Sequence, residues 1–326
     1  MSRRFALPSP ESAASGLPWR PRLLPLAELT TLIAASAAAF VFQLTLPSRL
    51  ATDQDYRAVA AALAKEGKDG DVVLLHPWWT ERARLFITAL PVVGYLGSDR
   101  DPLGRFERLW LLSQPRLPRS DLDSFMRRFG PGRRLVASPK TFGNLELSLY
   151  RNGWYRPIVF SAAAEYPSAR VYIEESNGAR VDCPFDGKAH RCPGREQLRV
   201  AAEWHEVLYQ PLHCLWMHPP GGPRRLVAEF PAVRSGEKLT LAAGIVGEYA
   251  SRRQPELTTT RVVVEETGTG RGLLELEIPP GVEGLQQVER AAAELPSTSG
   301  LRIWVQSDNA ALRDTCVELL SDRAAE

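Results

Sequence analysis

The sequence predicts a chain of mixed class, in which one N-terminal membrane helix precedes a small open α/β layer and an all-β sandwich. Three observations predict this order. Residues 29–46 are an uninterrupted apolar run, residues 51–153 alternate helical and strand patterns, and residues 154–326 hold short β-type segments separated by turn residues. A chain of 326 residues is too long for one small core, so we expect two domains after the apolar run.

The charge balance argues against nucleic acid as a partner. The 40 Lys and Arg residues nearly balance the 38 Asp and Glu residues, which leaves a formal net charge of +2 and no strong basic field. The sequence contains no Walker loop, HExxH motif or serine-nucleophile elbow, which lowers the expectation for the enzyme classes that these motifs mark. We therefore expect no cofactor and lean towards a non-catalytic protein.

The apolar run predicts a membrane anchor over residues 23–48. Its central part, LTTLIAASAAAFVFQLTL, has 18 residues without a formal charge, and such a helix spans about 27 Å, enough to cross a hydrocarbon layer. Residues 1–22 are rich in Pro, Ser and Ala, so we expect them to be disordered. They carry four arginines, Arg3, Arg4, Arg20 and Arg22. Positive charge before the helix favours a cytoplasmic N-terminus and extracytoplasmic domains after the helix.

Two other interpretations of the run stay open. A cleaved signal peptide would use the small residues Ala37, Ala38 and Ala39 as its cleavage site. Against cleavage, the apolar run continues for seven residues past Ala39. The third interpretation is a buried helix of a soluble protein.

Residues 51–153 have the pattern of an α/β domain. Thr52 or Asp53 can cap a helix that Gly67 closes. The following run, DVVLLH, is apolar on both faces, which is typical of a buried strand with helices on each side. The other predicted elements are helices over Thr80–Leu90 and from Ser120 to about Gly130, and strands over Val92–Leu96, Arg108–Leu112, Leu135–Ala137 and Leu145–Tyr150. Strands alternating with helices indicate a small open α/β layer.

The end of the first strand is one candidate ligand site. His76, Pro77, Trp78 and Trp79 follow that strand directly, and open α/β folds bind ligands at the carboxyl ends of their strands. The alternative is that the two tryptophans cap the sheet or face the membrane or the next domain. Position in a fold is an analogy and does not by itself assign a function.

Three carboxylates carry the enzyme alternative, glycosyl transfer or hydrolysis in the α/β domain. Asp99-Arg-Asp101 matches the two-carboxylate metal signature of nucleotide-sugar transferases, but its Gly and Pro neighbours favour a turn. Glu81 is the third candidate. Hydrolysis would need two carboxylates about 5–10 Å apart.

Several motifs of the first half resemble a known family. DYRAVAAAL, GDVVLLHPWW, RLWLLS and LELSLYR follow the predicted membrane helix in this order. They resemble the extracytoplasmic tail of bacterial glycosyltransferase family 39 proteins, the relatives of dolichyl-phosphate-mannose protein mannosyltransferases. In that family the catalytic carboxylates belong to a multi-helix membrane part, whereas this chain has one predicted membrane helix. The resemblance implies a non-catalytic segment on a single-pass anchor in a bacterial inner membrane.

Residues 154–326 have the pattern of a β-sandwich. Apolar residues alternate with polar ones, as Val171 and Ile173 do, and turn residues recur at short intervals. The predicted strands are 169–174, 197–202, 225–229, 238–245, 259–265, 273–278, 286–289 and 301–306. Predicted hairpin turns lie at Asn177-Gly178, Gly268-Thr269-Gly270 and Ser299-Gly300.

All four cysteines fall in this second domain. Cys183 and Cys192 flank PFDGKAHR, whose Asp-Gly is a turn centre, so the two thiols can meet across a hairpin. In an exported chain we expect the second disulfide to be Cys214–Cys316. Zinc is the competing interpretation, because four histidines lie nearby: His190, His205, His213 and His218. The sequence has no Cys-x-x-Cys pair of the kind that structural zinc sites use.

The second domain also resembles a family. Between residues 165 and 320 the two cysteines of the hairpin are followed by WHEV, HCLWMHPP, LTLAAGIVGEYA, a Val-rich strand and a late Cys316. This order resembles the jelly-roll carbohydrate-binding-like modules of the NPCBM type. Val246-Gly247-Glu248 stand where that pattern usually has an aspartate. The resemblance implies a jelly-roll fold and a role in binding glycan or in assisting a membrane glycosyltransferase.

Aromatic platforms and a few polar side chains make sugar sites. The candidates in this domain are the aromatic residues Trp204, Trp216 and Tyr249 and the polar residues Glu248 and Arg252. Each would also serve as a packing residue.

Three classes of function follow from these patterns. The leading one is a membrane-anchored extracytoplasmic protein without catalysis that binds glycan or is accessory to envelope glycosylation, with a membrane glycosyltransferase as a further partner. The second is the enzyme alternative. The third is a structural subunit of a membrane complex, which predicts an exposed apolar patch on the α/β layer near the anchor.

Overall fold

The computed structural model describes residues 23–95, 102–117, 121–208, 210–247, 256–291 and 298–324. The chain divides into two units, Met1–Leu50 and Ala51–Glu326. In the first unit, helix α1 spans Leu23–Thr45, and a 3-10 turn follows at Pro47–Arg49. Within α1, the 18 residues Glu28–Thr45 suit a membrane span by length and composition, as a signal sequence also would. The choice among membrane anchor, cleaved signal and helix of a soluble protein therefore stays a prediction.

The second unit begins with a mixed six-stranded sheet, sheet A. Its helices are α2 (Asp53–Glu66) and α3 (Leu122–Phe129), and its strands are β1 (Val72–His76), β2 (Val92–Gly94), β3 (Arg108–Ser113), β4 (Arg133–Leu135), β5 (Lys140–Phe142) and β6 (Leu145–Asn152). The strand order is β2-β1-β3-β6-β4, and β5 also pairs with β6. Strand β1 is parallel to β2 and β3, whereas β6 is antiparallel to β3. Side chains of α2 pack on one face of the sheet and those of α3 on the other.

Local chemistry sets the start of α2 as the sequence predicts. Thr52 and Asp55 form a capping box, in which Asp55 N donates to Thr52 Oγ1 at 3.2 Å and Thr52 N donates to Asp55 Oδ2 at 2.9 Å. Two backbone donors at the helix start are thereby satisfied. The buried residues of α2 are Tyr56, Val59 and Leu63, which lie on one helical face.

The predicted helix over Thr80–Leu90 is wrong. The structure has only a 3-10 turn, Glu81–Leu85, in this segment. Thr80 does not cap a helix, because its hydroxyl donates to Pro77 O at 2.6 Å. The β-branched Ile87 further disfavours a regular helix.

The rest of the second unit is a β-sandwich of two antiparallel sheets. Its strands are β7 (Ile158–Ser161), β8 (Arg170–Glu174), β9 (Arg180–Asp182), β10 (His190–Arg191), β11 (Arg199–Val207), β12 (Gln210–Met217), β13 (Arg225–Arg234), β14 (Lys238–Ile245), β15 (Thr260–Glu266), β16 (Gly272–Ile278), β17 (Gln286–Ala291), β18 (Thr298–Gln306) and β19 (Thr315–Asp322), and a short helix, α4 (Ala162–Glu165), follows β7. Sheet B has the order β10-β11-β12-β19-β14-β17, with β7 on β19, and sheet C has the order β16-β15-β18-β13-β8-β9. Apolar side chains from both sheets form one core between them, which confirms the predicted sandwich.

The two predicted disulfides are present. Cys183 and Cys192 join with 4.1 Å between their Cα atoms, and Cys214 and Cys316 join with 5.6 Å between theirs. Because all four thiols are used in this way, none is available as a zinc ligand. In the described residues no group of three or more His, Cys, Asp and Glu side chains suits a metal ion.

Some predicted details of the sandwich are wrong. Strands β12 and β19 are missing from the predicted set, although β19 pairs with β12, β14 and β7 and lies inside sheet B. Ser299-Gly300 is part of β18 and not a turn. The predicted domain boundary at 153/154 falls between β6 and β7 and stays a prediction.

Candidate functional site

A pocket of about 290 Å³ lies where sheet A meets β11 and β12 of the sandwich. We call it the Trp204 pocket. Its lining residues are Pro91, Val93, Gly94, Tyr95, Leu103, Arg105, Phe106, Trp204, Leu212 and His213. The volume is at the lower end of the range of small-molecule sites, and a mostly apolar lining with a few polar groups is typical of them.

A buried asparagine positions one wall of the pocket. Leu103 and Arg105 lie on a 3-10 turn, Pro102–Arg105, and Phe106 follows it. Asn152, at the end of β6, is 3% exposed, and its Nδ2 donates to Leu103 O and Phe106 O, both at 3.0 Å. These bonds hold the turn against sheet A, because leaving the donors of a buried amide unpaired would cost free energy.

The opposite wall carries an exposed tryptophan. Trp204 on β11 lies directly across the strand pair from His213 on β12, with 5.3 Å between the ring centroids. The Trp204 side chain is 51% exposed although its neighbours pack closely. An indole held by a strand and open to solvent is a ready surface for stacking.

Arg105 and His213 supply the polar groups. Arg105 Nη1 lies 2.5 Å from Glu318 Oε1 of β19, while Arg105 Nε is buried and has no hydrogen-bond partner among the described residues. Burial, and then the positive charge of Arg105, lower the pKa of His213 below its usual 6.5. His213 is therefore neutral at pH 7, with one ring nitrogen that donates and one that accepts.

The Cys214–Cys316 disulfide lies next to a residue that lines the pocket. Leu212, which lines the pocket, packs with Val207, Cys214 and Cys316. The disulfide thus ties β12, which bears both Leu212 and His213, to β19. Strand β19 in turn carries Glu318, the partner of Arg105.

The five residues that the sequence suggests for ligand binding do not all lie in this pocket. Trp204 lines the pocket, but Trp216 is only 8% exposed. Its ring lies 4.4 Å from the His205 ring and 5.4 Å from the Arg199 guanidinium. Trp216 offers no open platform in this position. The other three candidates, Glu248, Tyr249 and Arg252, lie outside the described residues, and their roles stay predictions.

Sequence reasoning missed most of this pocket. Tyr95, Arg105 and Phe106 come from the α/β layer, and their place beside Trp204 depends on packing between distant segments. No local pattern signals such a contact. The sequence indicates His213 only as a possible metal ligand. Its in-register position across from Trp204 follows only when β11 and β12 are paired as a hairpin.

The segment after β1 forms a second feature of interest. His76 packs on Phe125 of α3 with 4.3 Å between ring centroids, and burial lowers its pKa. Trp79 is 50% exposed. Glu81, a candidate carboxylate of the enzyme alternative, is paired with Arg84. The other two carboxylates, Asp99 and Asp101, lie outside the described residues.

No family model and no curated protein matches this chain. Solved structures with weak similarity include a CBM51 module of a GH95 protein from Clostridium perfringens in complex with methyl-galactose, with 9% identity over 47% of this chain and 78% of that chain and a TM-score of 0.24. Others are a xylan-binding module, CBM15, with 6% identity, coverages of 49% and 95% and a TM-score of 0.28, and the mannan-recognising module TmCBM27, with 9% identity, coverages of 41% and 87% and a TM-score of 0.26. TM-scores of this size do not establish a shared fold, and identities below 10% do not establish a shared ligand.

Proposed function

We propose that this chain is a membrane-anchored, extracytoplasmic protein without catalytic machinery that binds a glycan in the Trp204 pocket. The observation that carries the proposal is the half-exposed Trp204 beside neutral His213 and the Arg105 guanidinium. A sugar ring has one face of C–H groups, which stacks on an indole, and an edge of hydroxyls, which needs mixed donors and acceptors. The pocket offers both within one concave site.

Two features support an extracytoplasmic location. Helix α1 has the length and composition of a membrane span, and the two disulfides are typical of proteins that fold in an oxidising compartment. The first half of the chain resembles the extracytoplasmic tails of glycosyltransferase family 39 proteins. We therefore propose that this chain is a single-pass protein of a bacterial inner membrane. A membrane glycosyltransferase that acts on the bound glycan is then its natural partner.

The test is a glycan-array screen of the full chain in lipid nanodiscs, repeated with Trp204→Ala. Trp79→Ala is the matched control, since Trp79 has nearly the same exposed fraction, 50% against 51%, and does not line the pocket. We expect saturable binding that Trp204→Ala reduces at least tenfold and Trp79→Ala leaves unchanged. Binding that both variants reduce equally, or no binding by folded protein, would reject the proposal.

A second function, a structural subunit of a membrane complex, is favoured by two exposed apolar side chains on the α/β layer. Leu85 is 76% exposed and Trp79 is 50% exposed, and a docking surface would need such apolar side chains to form one contiguous patch. A docking role predicts that Leu85→Asp leaves glycan binding intact but prevents crosslinking to a co-expressed membrane glycosyltransferase. Unchanged crosslinking in that variant would exclude this surface.

A further inference from the structure

A second cavity lies beside the Trp204 pocket. It has a volume of about 320 Å³ and is lined by residues of both the α/β layer and sheet B, among them Trp154, Lys238, Gln287 and Glu289. Arg105 lines this cavity as well as the Trp204 pocket. The two cavities are therefore neighbours that share Arg105, whose ion-pair partner Glu318 lines the second cavity.

This second cavity has its own exposed tryptophan. Trp154 is 49% exposed, close to the value for Trp204. Its ring rests on Gly132, where an added Cβ would lie 2.3 Å from Trp154 Cε2, and the Arg133 guanidinium lies 5.1 Å from the ring centroid. Gly132 has φ 71°, a conformation that favours glycine. The backbone is thus shaped to hold this indole in place.

The charges of the second cavity balance. Its lining has three cations, Arg105, Arg156 and Lys238, and three anions, Glu289, Glu318 and Asp322. They pair with one another: Arg105 with Glu318 at 2.5 Å, Arg156 with Asp322 at 2.7 Å and Lys238 with Glu289 at 3.0 Å. A lining whose charges sum to zero gives no net attraction for an ionic ligand, whereas the carboxylates and cations in such pairs can still bond to hydroxyl groups.

We infer that the glycan is a neutral oligosaccharide of several residues that runs past the Arg105–Glu318 pair, with one sugar on Trp204 and another on Trp154. The inference rests on the proposed function and specifies its ligand class. A monosaccharide would occupy one cavity and leave the second indole unused. An extended chain accounts for the half-exposed tryptophan in each of the two cavities and for Arg105, which lines both.

The test compares oligosaccharides of one to six residues, in neutral series built on mannose, galactose, xylose and N-acetylglucosamine. Titration uses the full chain in nanodiscs. For the series that binds, we expect affinity to rise at least tenfold between one residue and four. Trp154→Ala should remove that gain and leave monosaccharide affinity within twofold of the unchanged chain, whereas Trp204→Ala should weaken binding at every length. Gln287→Ala, on the edge strand β17 that lines the second cavity, should reduce the same gain in affinity. It is the second test of the inference where Trp154→Ala perturbs folding.

The outcomes separate this inference from the proposed function. The inference would be overturned if affinity did not depend on oligosaccharide length. It would also be overturned if Trp154→Ala reduced the affinity for short and long sugars equally. Glycan binding itself would stand in both cases. Stronger binding of uronic-acid or sulfated oligomers than of neutral ones would also overturn it. No binding of any sugar by the folded chain would reject the proposed function itself.

Discussion

Arg105 and Glu318 form an ion pair, with 2.5 Å between Nη1 and Oε1, that joins the 3-10 turn of the α/β layer to strand β19 of the sandwich. The two side chains are 22% and 13% exposed, so water screens the pair only in part. Since Arg105 lines both cavities, the pair connects the stability of the junction with the shape of the proposed binding site.

Glu318→Gln should therefore affect both stability and binding. Removing one partner of a largely buried pair leaves the other charge uncompensated, and we expect the free energy of unfolding to fall by about 1–3 kcal/mol. The matched control is Glu107→Gln, because Glu107 pairs with Arg151 at 2.9 Å but both side chains are about half exposed. Exposed pairs contribute about 0–1 kcal/mol. Equal losses in urea unfolding of the two variants would contradict this assignment.

Asn152→Asp should loosen the turn that carries Arg105. The substitution keeps the side-chain shape but removes the Nδ2 donor to Leu103 O and Phe106 O. Two buried carbonyls then face a carboxylate, and we expect a loss of about 2–4 kcal/mol in unfolding free energy. Urea unfolding measures the loss, and glycan titration should show weaker binding of short sugars. A stability within 0.5 kcal/mol of the original chain, on the order of a surface change, would show that Asn152 does not hold this turn.

Gly132→Ala tests how Trp154 is positioned. The new Cβ would lie 2.3 Å from the indole, so the ring must move, and the positive φ of 71° adds backbone strain of about 1–2 kcal/mol. Gly178→Ala is the control, because Gly178 has a similar φ of 80° but no atom within 4 Å of an added Cβ. We expect both variants to lose stability, and only Gly132→Ala to lose the affinity gain for longer oligosaccharides. An intact gain in Gly132→Ala would mean that the position of Trp154 does not matter.

The parts of the fold that the sequence predicts well are those with local causes. The Thr52 cap of α2 and the hairpin turn at Asn177-Gly178 depend on residues close in sequence, and both occur in the structure. The Cys183–Cys192 bridge is of the same kind, since a short hairpin brings its thiols together.

The errors have non-local causes. The sequence predicts a turn at Ser299-Gly300, but Gly300 lies within β18. A glycine suits this strand position because an added Cβ would lie 3.0 Å from Thr267 and 3.2 Å from Pro231 O. Strand β19 has the local sequence TCVELLSD, whose polar residues weaken the strand pattern, and it forms because β12 and β14 flank it. Trp304 on β18 is buried, and it packs with Tyr172, Val227 and Val263 outside the core between the sheets.

The candidate site shows the same division. The chemistry of its side chain marks Trp204 as a candidate in the sequence. Arg105 and Trp154 line cavities only because the α/β layer packs on sheet B. Their partners, His213, Glu318 and Gly132, are far away in sequence or carry no functional pattern. A pocket between two layers is a property of tertiary packing, so its full residue set could not be read from one sequence.

The two disulfides should contribute unequally to stability. Cys214–Cys316 spans 102 residues and Cys183–Cys192 spans 9. In the chain-entropy model the long loop contributes about 4–5 kcal/mol and the short one about 2–3 kcal/mol. Urea unfolding of the two double Cys→Ser variants measures the difference. A short-loop variant that is as unstable as the long-loop variant would show that loop entropy does not dominate.

The free energy of unfolding should decrease as the pH falls below 7, because His76 and His213 are half-buried in the folded protein. Burial is the largest cause that lowers the pKa of both His76 and His213 from 6.5. Neighbouring charges act in both directions: Asp121 raises and Arg128 lowers the pKa of His76, while Arg105 lowers and Glu318 raises that of His213.

The direction of the pH effect follows from proton uptake by the unfolded chain. Between pH 7.5 and 5.5 the unfolded histidines gain protons near their ordinary pKa of 6.5, whereas the folded ones resist protonation. The stabilisation is thus complete above the unfolded pKa and declines as the pH falls through it, by at most about 1.4 kcal/mol per pH unit for each histidine. Urea unfolding at pH 7.5 and 5.5 should show this decline in the original chain and a smaller one in His76→Gln/His213→Gln. If both proteins lose the same free energy, other groups control the acid sensitivity and the two buried imidazoles do not.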